Sequence, residues 1–206
     1  SIRENPEQVI PTAWIRAAQA RWTPTPPAGV PMCSIGADIA QGGSDNNVLA
    51  PRHDGWYAPL IVIPGKDTPL EGTDVAGLLI SKRRDKCKIV VDCGGGYGGP
   101  VFKHLRDNEI DVVAYKGAEA SHVRTRDNSL GFYNKRAEVV WRFREALDPD
   151  QPQGSTIALP PDTVLLSDLS SWIYTTETGR IKLEPAEKQF KRINRSPDRG
   201  VAVVLA

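Results

Sequence analysis

The chain has 206 residues, with 26 Lys and Arg against 25 Asp and Glu, a formal charge of +1 and 40% hydrophobic residues, the make-up of one ordinary soluble domain. A chain of this length buries a core without disulfide or metal staples, and no apolar run reaches the roughly 18 to 20 residues of a membrane span. The N-terminus SIRENPEQVIPTAW lacks a basic-then-apolar secretory layout, and Cys33, Cys87 and Cys93 are an odd number without C-x-x-C spacing, so a cytosolic chain with reduced, partly buried thiols is expected.

Near-neutrality conceals an asymmetry. Residues 1–80 carry five basic and eight acidic residues, whereas residues 81–206 carry 21 basic and 17 acidic. The excess is clustered: Lys82, Arg83, Arg84, Lys86 and Lys88; then Arg124 and Arg126; then Lys135 and Arg136; then Lys188, Lys191, Arg192, Arg195 and Arg199. Such clusters suit phosphate contacts, and they are also what solvated helix faces look like.

In chain order, PTAWIRAAQARW places Trp14, Ala17, Ala18, Arg21 and Trp22 on one helical face, and TPTPPAG stops it. Residues 1–31 read as a lead-in to a domain spanning 32–206. MCSIGADIA, NVLAPRH and WYAPLIVI follow as three strands, with turns at GGSDN and HDG; connections this tight require antiparallel neighbours. After PGKDTPLEG, with Thr73 a candidate N-cap, DVAGLLISKRR spaces its apolar residues as an amphipathic helix. KIVVD is a buried strand, GGGYGG opens the helix PVFKHLRDN, and IDVVAY completes a βαβ unit. The segment KGAEASHVRTRDNSLGF has neither period and reads as a loop. NKRAEVVWRFREAL is the strongest helix, with Ala137, Val140, Trp141, Arg144 and Leu147 in phase. Residues 162–174 read as a helix capped by Asp162, TTETGRIKLE as a hairpin turned at Thr178 and Gly179, and EKQFKRI and SPDRGVAVVLA as two short helices, the second capped by Ser196 with Pro197 at its first position. The fold expected is an α/β mixed sheet, three antiparallel strands followed by parallel ones, with helices on both faces.

Three aspartates stand where an unpaired carboxylate is costly: Asp38 within the first strand, Asp92 ending KIVVD, and Asp198 in the first turn of the last helix. Each alone is explained by a cap or salt bridge. Together they converge on one edge of the sheet, and two or three carboxylates without His or Cys suit a hard divalent ion such as Mg²⁺ or Mn²⁺. Two such ions about 3.5 to 4 Å apart activate water and stabilise the leaving oxygen of a phosphodiester. His53, His104 and His122 have no zinc-type spacing. A competing pattern is Gly94, Gly96 and Gly99 as G-x-G-x-x-G, with Glu119 twenty residues beyond; Asp92 facing a pyrophosphate, and the three strands upstream, argue against a dinucleotide site. Ser121 and His122 are adjacent and point apart in extended chain, no G-x-S-x-G is present, and the five tryptophans read as scattered core anchors.

The order VIPTAWIRAA, IGADIAQGGSDNNVLAPRHDG, IVVDCGGGYGGPVFKHL, FYNKRAEVVWRFREAL and EKQFKRINRSPDRGVAVVLA resembles the nuclease domain of the large terminase subunit of tailed double-stranded DNA phages, over nearly the whole chain. The resemblance implies a ribonuclease H-like fold and a Mg²⁺- or Mn²⁺-dependent endonuclease, with two ions, that cuts concatemeric viral DNA. Its partners would be double-stranded DNA, an ATPase motor domain preceding this segment, the small terminase subunit and the portal protein, in the cytoplasm of an infected bacterium. Its acidic triad falls on Asp38, Asp92 and Asp198, with Asp38 bridging the ions, and Asp45 in a supporting part. Arg124, Arg126, Asn134, Lys135, Arg136, Arg195 and Arg199 are candidate DNA contacts. The family often ends S-P-D-x-A-D-A, whereas this chain has Gly200 and Val201, so the second carboxylate of that helix is absent. Rival readings are a docking module that needs its motor for catalysis and a resolvase-like nuclease preferring branched DNA.

Overall fold

The computed structural model describes residues 6–40, 45–65 and 72–206. The expected turn at GGSDN and the PGKDTPLEG segment fall largely outside them. The chain enters through β1 (Glu7–Gln8) and α1 (Thr12–Ala20), then β2 (Ser34–Asp38) and β3 (Asn46–His53). β2 is central: β3 pairs antiparallel along it, with Ser34 opposite Arg52 and Asp38 opposite Val48. The strand expected over Trp56–Ile63 is two pieces, β4 (Trp56–Tyr57) and β5 (Ile61–Pro64), both antiparallel to β3. Pro59 has no N–H for the ladder, so the strand breaks there.

α2 (Gly72–Lys82), β6 (Lys88–Asp92), α3 (Gly98–Asp107) and β7 (Val112–Tyr115) follow. β6 runs parallel to β2 and β7 parallel to β6, in the order β4-β3-β2-β6-β7, with β5 also on β3. Thr73 lies inside the first turn of α2 and not ahead of it. Ile35, Ala37, Ile89 and Val91 turn to the face covered by α2 and α3, packing on Val75, Leu79, Val101 and Leu105. By alternation, Gly36, Asp38, Val90 and Asp92 turn to the opposite face.

On that opposite face lie β8 (Gly131–Phe132), α4 (Lys135–Leu147), α5 (Thr163–Ser170), β9 (Ile173–Glu177), β10 (Arg180–Leu183), α6 (Ala186–Ile193) and α7 (Asp198–Leu205). Four strands form a second sheet, β1-β9-β10-β8, where sequence periodicity had suggested one sheet. Thr178 (φ 48°) and Gly179 (φ 72°) turn the β9–β10 hairpin as expected, positive φ at both central residues being the twist-matched turn. The helix expected to reach Tyr174 stops at Ser170, because Trp172 is buried and Ile173 pairs with Gln8. Ser196 does not cap α7. Pro197 occupies that position, with no side-chain cap bond.

Residues 9–18 belong to the same core: Val9, Ile10, Ile15 and Ala18 are fully buried against α4, α5 and the second sheet, although Ala17 and Arg21 are exposed. Trp22 Nε1 donates to Tyr57 O and Trp56 Nε1 to Thr23 O, both at 2.9 Å, and the two indoles stack. Packing is continuous across residue 31. In α4 it is Phe143, not Trp141 or Arg144, that is buried beside Ala137, Val140 and Leu147. All three cysteines are free, Cys33 exposed and Cys87 and Cys93 buried.

Candidate functional site

β2 and β6 are adjacent and parallel, their pairing ending at Ala37 opposite Val91, so Asp38 and Asp92 emerge side by side at the carboxyl ends of central strands, not at a sheet edge. α7 brings the third carboxylate. It crosses β2 so closely that a Cβ at Gly36 would lie 2.0 Å from Ala202 O and 2.7 Å from Ala206 N. Only glycine permits that approach, which seats Asp198 against Asp38. Behind β6, a Cβ at Gly98 would meet Asp92 O at 2.0 Å, whereas Gly99 has nothing within 4 Å. The Gly-rich turn therefore serves helix–strand packing beside Asp92, and its 98th residue, not its 99th, is the one in contact.

Asp38 and Asp198 lie close enough for their carboxyl groups to interact directly. Burial first, then the charges of Asp198, Asp92 and Asp45, hold the Asp38 carboxyl well above the usual range. Asp198, 8% exposed, is also raised by burial, opposed by hydrogen bonds from Ser196 and from Asn46 N at 3.1 Å. Asp92 is raised by burial and partly relieved by Gly94 N, which donates to its Oδ1 at 2.9 Å. Asp45 adds negative charge near both Asp38 and Asp198. Among the described residues no three His, Cys, Asp or Glu side chains are grouped to enclose an ion as they stand. What fits a cation is the donor set: all oxygen, with buried carboxylates close together whose pKa values are raised by burial and mutual repulsion, and two backbone N–H groups each holding one carboxylate oxygen.

Asp38 and Asp92 open into a cleft of about 880 Å³ between the main sheet and the second sheet, lined also by Tyr115, Lys116, Glu119, Tyr133, Lys182 and Val201. Tyr115 stands opposite Asp92 on β7, and burial and that carboxylate push its phenol far up. Tyr133 is 44% exposed, with Lys182 Nζ 4.6 Å from its ring centroid and the Arg180 guanidinium 5.5 Å away. Tyr115, Lys116, Tyr133 and Lys182 escaped sequence reasoning, although counting out parallel register from Asp92 reaches Tyr115. Where an S-P-D-x-A-D-A ending carries its second acid, Val201 gives the cleft an apolar wall.

The candidate phosphate contacts divide. Asn134 Oδ1 caps α4, accepting from Ala137 N at 2.9 Å. Arg136 is tied to Glu184 O and Gln189 Oε1. Arg195 pairs with the fully buried Asp168, whose other oxygen accepts from Gly200 N. Arg199 reaches Asp162 Oδ2 at 2.7 Å, the same carboxyl whose Oδ1 caps α5. Lys135 borders the cleft and pairs with Glu119 at 3.2 Å. Arg124 and Arg126 are exposed on the loop before β8, bonded to backbone oxygens of that loop and of Glu145. Glu119, once a candidate ribose ligand, is thus engaged with a lysine.

No protein-family model matches the sequence, and no curated protein does. Solved structures do. The nuclease domain of the large terminase subunit gp2 of bacterial virus Sf6 superposes with a TM-score of 0.73 at 16% identity, over 96% of this chain and 97% of that one. A variant of that domain with manganese and beta-thujaplicinol gives 0.71 at the same identity and coverage. The large terminase nuclease of thermophilic phage G20c with bound magnesium gives 0.57 at 17% identity, over 87% and 82%. The chain has the ribonuclease H-like α/β fold of large terminase nuclease domains, the fold expected from its sequence.

Proposed function

We propose that this chain is a divalent-metal-dependent DNA endonuclease domain of a viral packaging terminase, hydrolysing phosphodiesters of concatemeric double-stranded DNA. The observation that carries the reading is the meeting of three carboxylates: Asp38 and Asp92 at the carboxyl ends of two parallel strands, with Asp198 of α7 brought against Asp38. The fold neighbours crystallised with manganese and magnesium agree with it.

A pair of Mg²⁺ or Mn²⁺ ions, when bound, would supply Lewis acidity to activate a water and offset charge on the leaving 3′ oxygen. Asp38, central in the trio, would contact both ions, with Asp92 and Asp198 each holding one. Gly94 N and Asn46 N each fix one oxygen of their carboxylate and so orient Asp92 and Asp198. Asp45 deepens the negative field. Lys116 and Lys182 face the cleft from opposite sheets and would steady the phosphates, with Lys135, Arg124 and Arg126 further along. Arg136, Arg195, Arg199 and Asn134 would act by holding α4, α5 and α7 in place. The full protein would include a motor domain and meet a small subunit and a portal in the cytoplasm of an infected bacterium. In this chain, no helix among the described residues is long and apolar enough to cross a membrane.

Nicking of supercoiled plasmid in Mn²⁺ tests the reading. Asp38→Asn is expected to lower the rate by at least about a thousandfold, the scale of a lost electrostatic catalytic group. Cleavage that survives the substitution sinks it, and preference for branched over linear substrates favours a resolvase instead.

A further inference from the structure

A run of cations outside every ion pair among the described residues lies at the end of the sheet away from the carboxylates. The connection from α2 to β6 carries Lys82, Arg83, Arg84, Lys86 and Lys88 with one acid, Asp85, a local balance of +4. Four of the five are exposed and Arg83 is half-buried. Among the described residues none makes an ion pair, whereas Lys103, Lys135, Lys182, Arg192, Arg195 and Arg199 all do.

The turn is built to keep those charges outward. Asp85, the acid beside them, is exposed but engaged with the backbone, its Oδ2 accepting from Met32 N at 2.8 Å. Arg83 Nε donates to Cys87 O at 2.6 Å, and Arg84 Nη1 to Ser81 O and Arg83 O at 2.8 Å, so both guanidinium groups brace the turn instead of swinging freely. Asp85 (φ 56°) and Lys86 (φ 52°) are both left-handed, a reversal at which the Lys86 side chain is exposed to solvent. Lys88 begins the strand that Asp92 ends; four steps of about 3.3 Å separate them by about 13 Å, roughly four base pairs of duplex.

We infer that the α2–β6 turn is a second DNA-contact surface, gripping the phosphate backbone of a duplex away from the point of cutting. The inference rests on DNA being the substrate of the carboxylate cleft. It gives the domain a division of labour: Lys182 in the cleft and Lys135 beside it are paired with Glu177 and Glu119, and affinity comes from cations that touch no reacting atom.

The test is a charge reversal, Lys82→Glu with Lys86→Glu and Lys88→Glu, sparing the bracing arginines; a triple Gln variant serves if the reversal fails to fold. Binding of a labelled 30-base-pair duplex is followed by anisotropy in EDTA from 50 to 300 mM KCl, and plasmid nicking in Mn²⁺ alongside. Each lost phosphate contact removes about 0.9 from the slope of log K against log salt. The variants should show a slope shallower by about 2 to 3, affinity at least about tenfold weaker, and a raised KM with kcat unchanged. Unchanged slope and affinity overturn the inference even if the wild type cuts DNA. A wild type that binds through this turn but never cuts overturns the nuclease reading alone. No duplex binding at 50 mM KCl, or retention on phosphatidylserine vesicles only, overturns the DNA surface.

Discussion

Asp38 shows how burial converts an ordinary residue into a site. Its carboxyl is held above the usual range by burial and three neighbouring acids, so the folded state keeps a proton that the unfolded chain releases near pH 4. In the absence of metal, the stability this group contributes is complete below that pH and is lost as pH rises through the raised folded value. Asp38→Asn removes the ionisation, so at pH 7 in EDTA it should raise stability by about 1 to 3 kcal/mol, a few degrees in Tm, while abolishing nicking. A fall in Tm would mean that the carboxylates do not repel one another. The arginine at 195 makes the complementary point. Removing it leaves Asp168, 0% exposed, without its cation, and Arg195→Ala should cost about 3 kcal/mol in urea unfolding, the low end for a broken buried pair because the arginine is itself one-third exposed. Ser34 Oγ is buried with no partner, and Ser34→Ala should leave stability unchanged or up by about 1 kcal/mol.

At the scale of elements, the site depends on how closely α7 lies on β2. Glycine at 36 is a requirement of that crossing: a methyl there would stand 2.0 Å from Ala202 O, a backbone atom that cannot step aside. Gly36→Ala should destabilise by more than about 3 kcal/mol and lift Asp198 from Asp38, whereas Gly99→Ala, with open space around it, should change thermal unfolding by less than about 0.5 kcal/mol. Similar unfolding of the two variants would contradict the seating described for α7. Periodicity located nearly all of these elements, because alternation and helical spacing are local properties. It failed where a neighbour overruled it: Pro59 split a strand, and pairing with β1 took Ile173 and Tyr174 from a helix.

At the scale of the molecule, the segment before β2 is part of the core. Val9, Ile10, Ile15 and Ala18 are fully buried, and at about 1.5 to 3 kcal/mol for each buried aliphatic side chain their loss approaches the whole stability of a domain. A chain beginning at Met32 should therefore express as unfolded or aggregated protein, with no cooperative melt by circular dichroism. A cooperative transition would show that 6–31 is a dispensable appendage.

The sequence by itself determined the sheet's antiparallel-then-parallel order, because short turns and a βαβ crossover leave few alternatives, and it marked Asp38, Asp92 and Asp198 as costly carboxylates. Which basic residues are free could not be read from it. Arg136, Arg195 and Arg199 look in sequence like Lys82, Lys86 and Lys88, yet the three arginines are bonded to residues 27 to 53 positions away while the lysines are not. Only the tertiary structure decides that, since a cation's availability depends on the acceptors that distant segments bring to it. The same holds for the carboxyls of Asp38 and Asp198: neither aspartate is unusual until α7 closes over β2 and buries the two side by side.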